Sequence, residues 1–165
     1  MDIRYIKADP SGNTTIFVLN SIDPAQRSTL AATLLRSDDI GAEQVGYLTM
    51  DHDTPIRVDM MGGEFCGNAS RSAAAYALMR SGEKEGDYEV SCSGCDHVLH
   101  AHAVRREDAL YDAYIEMPLP LAVEAVLMEV EGMPSRFFRV DLPGIVHFVH
   151  FVDDIALVDK QIFWQ

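Results

Sequence analysis

The segment Gly62-Gly63-Glu64-Phe65-Cys66-Gly67-Asn68-Ala69-Ser70-Arg71 holds the residues best suited to chemistry. From Gly67 the composition turns to Ala, Leu, Met, Ser and Arg, which predicts a helix over residues 67–80 closed by Ser81-Gly82. Cys66 then stands at the helix start, where several backbone N–H groups lack intrahelical partners and the helix dipole is positive. Such a place is expected to lower a thiol's pKa towards neutrality and make the thiolate available as a base. Gly67 would let a substrate carboxylate approach the backbone, and the same N–H groups suit an anion. One corner could hold a carboxylate and set a thiolate beside an α-carbon. On spacing alone a second reading stays open, a buried cysteine followed by an ordinary Gly-Asn turn.

Other thiols and imidazoles compete for attention. Cys92-Ser93-Gly94-Cys95, with His97, His100 and His102 close behind, invites a metal or redox reading. A metal would need a further convergent pair, and His100 and His102 fall on one face of an alternating strand. A redox pair is expected at a helix start, whereas this one lies between two strand-like runs. The favoured reading is a turn with two ordinary thiols and no metal. His147 and His150 straddle an apolar strand, and His150 reads as a hydrogen-bonded core or rim residue. Arg71 suits a carboxylate, whether a substrate's or one of the chain's many acids.

The elements that must position these groups follow from pattern. Residues 3–7 and 15–19 read as strands joined by the turn Asp9-Pro10-Ser11-Gly12-Asn13, so a β-hairpin opens the fold. Asp23-Pro24 caps a first helix carrying Leu30, Ala31, Leu34 and Leu35 at helical spacing. Residues 45–50 and 56–60 are short strands expected to pair with the hairpin, and residues 88–92, 98–104 and 113–117 give three more. The sum is a sheet of about seven strands with two helices, α+β in class. After Met117-Pro118-Leu119-Pro120 the pattern restarts with strand-like runs at 123–130, 137–142 and 145–152, and the chain reaches Phe163-Trp164-Gln165 with no closing turn. The expected organisation is one domain over residues 1–118 and the beginning of a second, incomplete, over 119–165.

Composition narrows the function classes. At 165 residues and 48% hydrophobic, the chain can bury a core. Its 26 acidic and 13 basic residues give a formal charge of −13, which argues against nucleic acid and anionic membrane as partners. No apolar run reaches the roughly 20 residues of a membrane span. The N-terminus lacks the features of a signal peptide, so the expected location is cytoplasmic, where three cysteines leave thiol chemistry open.

The run from Phe65 to Arg71 resembles the first-cysteine motif of the diaminopimelate epimerase and proline racemase superfamily, Cys-Gly-Asn followed by a small residue, another residue and Arg. Ser11-Gly12-Asn13-Thr14-Thr15 is similar to that superfamily's first turn, and Glu43-Gln44-Val45-Gly46 to the segment contributing a binding Gln. Gly144-Ile145-Val146-His147 resembles the Gly-Asn-Pro-His segment that opens the second half. The Pro-Ser-Gly-Asn opening and the Glu-Phe-Cys-Gly-Asn corner look closest to the histidine racemases of opine metallophore biosynthesis.

The resemblance implies a half of the diaminopimelate-epimerase type, a mixed and antiparallel sheet wrapped around a central helix. It also implies racemisation of a free amino acid without pyridoxal phosphate or other cofactor, by two cysteines on opposite faces of the α-carbon. Cys66 matches the first of these. Asn13, Gln44, Gly67, Asn68 and His147 match positions around the substrate. The second cysteine belongs to the other half, in cis or on another chain; a homodimer is a further arrangement left open, and Cys92 comes too soon after Cys66 to be that base. The fragment alone is expected to be inactive. Ile145 and Val146 replace the family's Asn-Pro, which argues against diaminopimelate, whose distal charges need polar partners when buried. The alternative is a half-domain that keeps the fold and binds ligand without turnover.

Overall fold

A computed structural model describes residues 2–142 and 144–159. The chain divides into two units between Pro118 and Leu119, each described by itself. The first contains strands β1 (Tyr5–Ala8), β2 (Thr15–Val18), β3 (Gln44–Thr49), β4 (Ile56–Met60), β5 (Glu85–Cys92), β6 (Leu99–Glu107) and β7 (Leu110–Ile115), with helices α1 (Pro24–Leu35) and α2 (Gly67–Ser81). The strands form one sheet in chain order from β1 to β7. The β2–β3 and β4–β5 pairs are parallel and the others antiparallel. A parallel neighbour needs a long crossover, and α1 and α2 supply the two. The opening hairpin forms as expected from its turn. β3 joins it, lying parallel to β2, but β4 pairs with β3 and β5 and not with the hairpin.

The sheet curls about α2, which packs against β4, β5, β6 and β7. Its buried positions are Ala69, Ser70, Ala73, Ala74, Ala77 and Leu78, and five of the six are small enough to let strands close in from several sides. Against the other face lies α1, started by Asp23, whose carboxylate accepts the Ala25 N–H at 2.9 Å ahead of Pro24. This sandwiching explains why β2 is buried at all four positions. Ile16 and Val18 pack with Ala31, Leu34, Val45 and Tyr47, while Phe17 packs with Ala69, Ala73, Val58 and Leu99. Thr15, two residues before Phe17, therefore shares the α2 side.

The second unit begins at Leu119. Its strands β8 (Ala122–Val130), β9 (Met133–Leu142) and β10 (Ile145–Val149) form an antiparallel sheet in the order β10-β9-β8. Glu131 and Gly132, with φ of 50° and 77°, make the two-residue turn between β8 and β9, the geometry that suits strand twist. The tail at 160–165, where no closing turn was read, lies outside the described residues.

Candidate active site

Cys66 is the N-cap of α2, in an extended conformation with φ −135° and ψ 104°. Its carbonyl accepts from the Ser70 N–H and hydroxyl, both at 2.9 Å, which fixes the first turn. The sulfur accepts from the Ala69 N–H at 3.4 Å and donates to Gln44 Oε1, also at 3.4 Å. Gln44 opens β3, and the same oxygen takes the buried Thr15 hydroxyl at 3.3 Å. Thr15 and Gln44 are register partners on the parallel β2–β3 pair, so strand pairing brings the amide to the thiol.

The two asparagines join the same corner. Asn68 Nδ2 donates to Asn13 Oδ1 at 3.5 Å, and Asn13 Nδ2 to Glu43 at 3.4 Å. Arg71 Nε donates to Asn68 Oδ1 at 3.2 Å, so its guanidinium orients an amide and is not in an ion pair among the described residues. Asn13, Gln44, Cys66, Gly67 and Asn68, spread over 55 positions of sequence, thus meet at one helix start. His147 is on β10 of the second unit, exposed, on the sheet face that also carries Val123, Val140 and Val149 by register.

One detail differs from expectation. The thiol is not depressed: burial pushes Cys66 above the ordinary cysteine range. The Ala69 and Asn68 N–H groups pull the other way and are outweighed by that burial, to which Cys92 and Glu64 add smaller upward pushes. At Gly67 a Cβ would stand 3.0 Å from Met117 Sδ. The glycine's smallness accommodates a flexible thioether.

The competing groups fall elsewhere. Cys92 is fully buried in the core, and all three cysteines are free thiols. Cys95, Asp96 and His97 could converge on a metal, their ligand atoms lying within 4.8 Å of one another, yet Asp96 and His97 are exposed. His97 hydrogen-bonds Asp96 at 3.0 Å and holds its carboxyl below the usual range. His102 bonds Asp87 at 2.8 Å and stacks on Tyr114, while His150 Nδ1 meets the Arg136 carbonyl at 2.8 Å and stacks on Phe137. Sequence reasoning gives Thr15 no role at the site. Thr15 was recoverable from the two-residue periodicity of β2.

Residues 2–164 match the family described as the histidine racemase CntK N-terminal domain. The chain belongs to that family. Among curated relatives, a histidine racemase of Fusobacterium nucleatum is 34% identical over 152 residues, 89% of this chain and 54% of the relative. One of Staphylococcus aureus is 30% identical over 164 residues, 97% of this chain and 57% of the relative. The chain therefore spans about half the length of the curated relatives it matches. In fold it is similar to a probable proline racemase from Agrobacterium radiobacter, with a TM-score of 0.63 and 15% identity over 95% of this chain and 54% of that one. The superfamily read from the Cys66 corner, and the α+β half expected from it, agree with these findings. No helix among the described residues is long and apolar enough to cross a membrane.

Proposed function

We propose that this chain is the first-cysteine half of an amino-acid racemase that works without pyridoxal phosphate, with free histidine the first substrate to try. The observation that carries the reading is the Cys66 sulfur, held at the start of α2 within 3.4 Å of both Gln44 Oε1 and the Ala69 N–H. The raised thiol defines its resting role. At neutral pH Cys66 is protonated, so it enters the reaction as the acid.

A base on the opposite face removes the α-hydrogen as a proton, the electron pair stays on the α-carbon, and Cys66 gives its S–H proton to the near face. The sulfur left behind carries a negative charge beside the N–H groups of Ala69 and Asn68, donors whose hold strengthens as that charge develops. The reverse direction starts from that thiolate. Asn13, Gln44 and Asn68 surround the substrate in this reading, with the Gly67 N–H available to its carboxylate.

The opposing base comes from sequence matching the rest of the relatives' length, in cis or on another chain. The same sequence would cover the apolar face of the second unit, where Val123 is 56% and Leu127 75% exposed. His147, on that face, would be buried with it. The free thiols are compatible with a cytoplasmic setting. The test is optical rotation of L-histidine and of D-histidine with this chain alone and with the full-length protein. Loss of rotation from both enantiomers with the full-length protein only is the expected result; no loss for any amino acid with either sample would sink the proposal.

A further inference from the structure

The 92–95 turn stands out in the sequence for its two thiols, yet the two residues between them make the contacts that matter. The Ser93 N–H donates to the Val58 carbonyl at 2.9 Å, fixing the turn to β4, and Cys95 N–H closes it on the Cys92 carbonyl at 3.3 Å. The Ser93 hydroxyl accepts the Met60 N–H at 2.9 Å and donates to the Glu64 carbonyl at 2.7 Å. Met60 ends β4 and Glu64 lies two residues before Cys66, so one hydroxyl ties both ends of the loop that delivers the thiol.

Gly94 adds a steric stop. Its φ is 70°, and a Cβ there would stand 2.3 Å from Phe65 N and 2.8 Å from Glu64 C, both backbone atoms that cannot swing away. The turn thus lies against the Glu64–Phe65 peptide, one residue ahead of the bond to Cys66. Phe65 is 4% exposed and anchored in the core, so a shift at Glu64 has no slack to absorb it before the sulfur.

We infer that Ser93 and Gly94 are positioning residues for Cys66, locking the 61–65 loop so that the thiol sits at the start of α2 beside Gln44. The motif's chemistry is then in its middle, not in Cys92 and Cys95. This rests on the reading of Cys66 as an acid/base. Loosening the clamp admits water to the sulfur and relaxes the burial that keeps it protonated, an effect a general loss of stability would not produce at one thiol alone.

The test is the pH dependence of iodoacetamide alkylation of the full chain, read by mass spectrometry on the peptide containing Cys66, with the peptide containing Cys95 as control. Ser93→Ala is expected to move the Cys66 midpoint to lower pH and raise its rate at pH 7 several-fold, leaving Cys95 unchanged, while Ser93→Thr restores the wild-type profile. A folded Ser93→Ala protein whose Cys66 profile superimposes on wild type overturns the inference. If Ser93→Ala is insoluble, Ser93→Gly, which also lacks the hydroxyl and adds no thiol, is judged by the same two results. The readout does not depend on turnover. Should Cys66→Ser later prove as active as wild type, the acid/base reading falls while the alkylation result still reports whether Ser93 sets the thiol's surroundings.

Discussion

At the scale of the residue, the account turns on two opposed effects at one sulfur. A helix N-terminus typically favours a negative charge by about 0.3–1 kcal/mol when exposed and up to about 2 kcal/mol in partly buried geometry. Burial can shift a group by several pKa units, and here it is the larger effect. The motif revealed the helix start and the thiol, but burial depends on α2 being enclosed by β4 to β7, which no local spacing encodes. Hence the position of Cys66 was legible and its protonation state was not. Gln44→Glu would place a carboxylate next to the sulfur and push the thiol higher still, so alkylation of Cys66 should be slower than in wild type at every pH from 7 to 9; equal rates would remove Gln44 from the sulfur's surroundings.

Stability responds with a definite sign. Because the folded-state pKa is raised, the neutral thiol's contribution is complete below the unfolded cysteine pKa and is lost as pH rises towards the folded one. Chemical denaturation on the alkaline side should therefore show wild type losing stability relative to Cys66→Ala with rising pH, and parallel curves would contradict it.

At the scale of the element, α2 combines two demands. Alanine-rich composition predicts the helix, and the same small side chains let a seven-stranded sheet approach it closely. Ala73 and Ala74 have no exposed surface. Ala73→Leu should cost about 1–3 kcal/mol through overpacking, read as a lower denaturation midpoint at unchanged slope. Both helices and the hairpin were legible because each has a start or turn signal: Asp23-Pro24, Cys66-Gly67, and the Ser11-Gly12 turn. The pairing of β4 was not, because it depends on crossovers whose partners are non-local. Likewise Asn13, Gln44 and Asn68 acquired roles only through a family resemblance, since nothing in their own spacing says that β2–β3 register will bring Gln44 to Cys66.

At the scale of the whole molecule, the two clusters of buried apolar residues that hold β1 to β7 and both helices lie entirely before Pro118. Leu119 is 84% and Leu121 74% exposed at the junction. Limited proteolysis with a protease that cuts after leucine should nick first after Leu121, since Pro120 protects the bond after Leu119, and leave a resistant fragment ending near residue 121; initial cleavage within residues 15–115 would contradict the division. The first unit carries the thiol, its acceptor and the two asparagines, and the proposed racemase adds the opposing base from outside these residues.

That central claim is most directly tested by α-hydrogen exchange in D2O, with the full-length protein and histidine, followed by NMR or mass spectrometry for wild type and Cys66→Ser. Wild type should incorporate deuterium at the α-carbon from either enantiomer, and Cys66→Ser should lose at least about 100-fold of that rate, the scale of removing a positioned acid/base. Equal rates in the two proteins would contradict the assignment of Cys66.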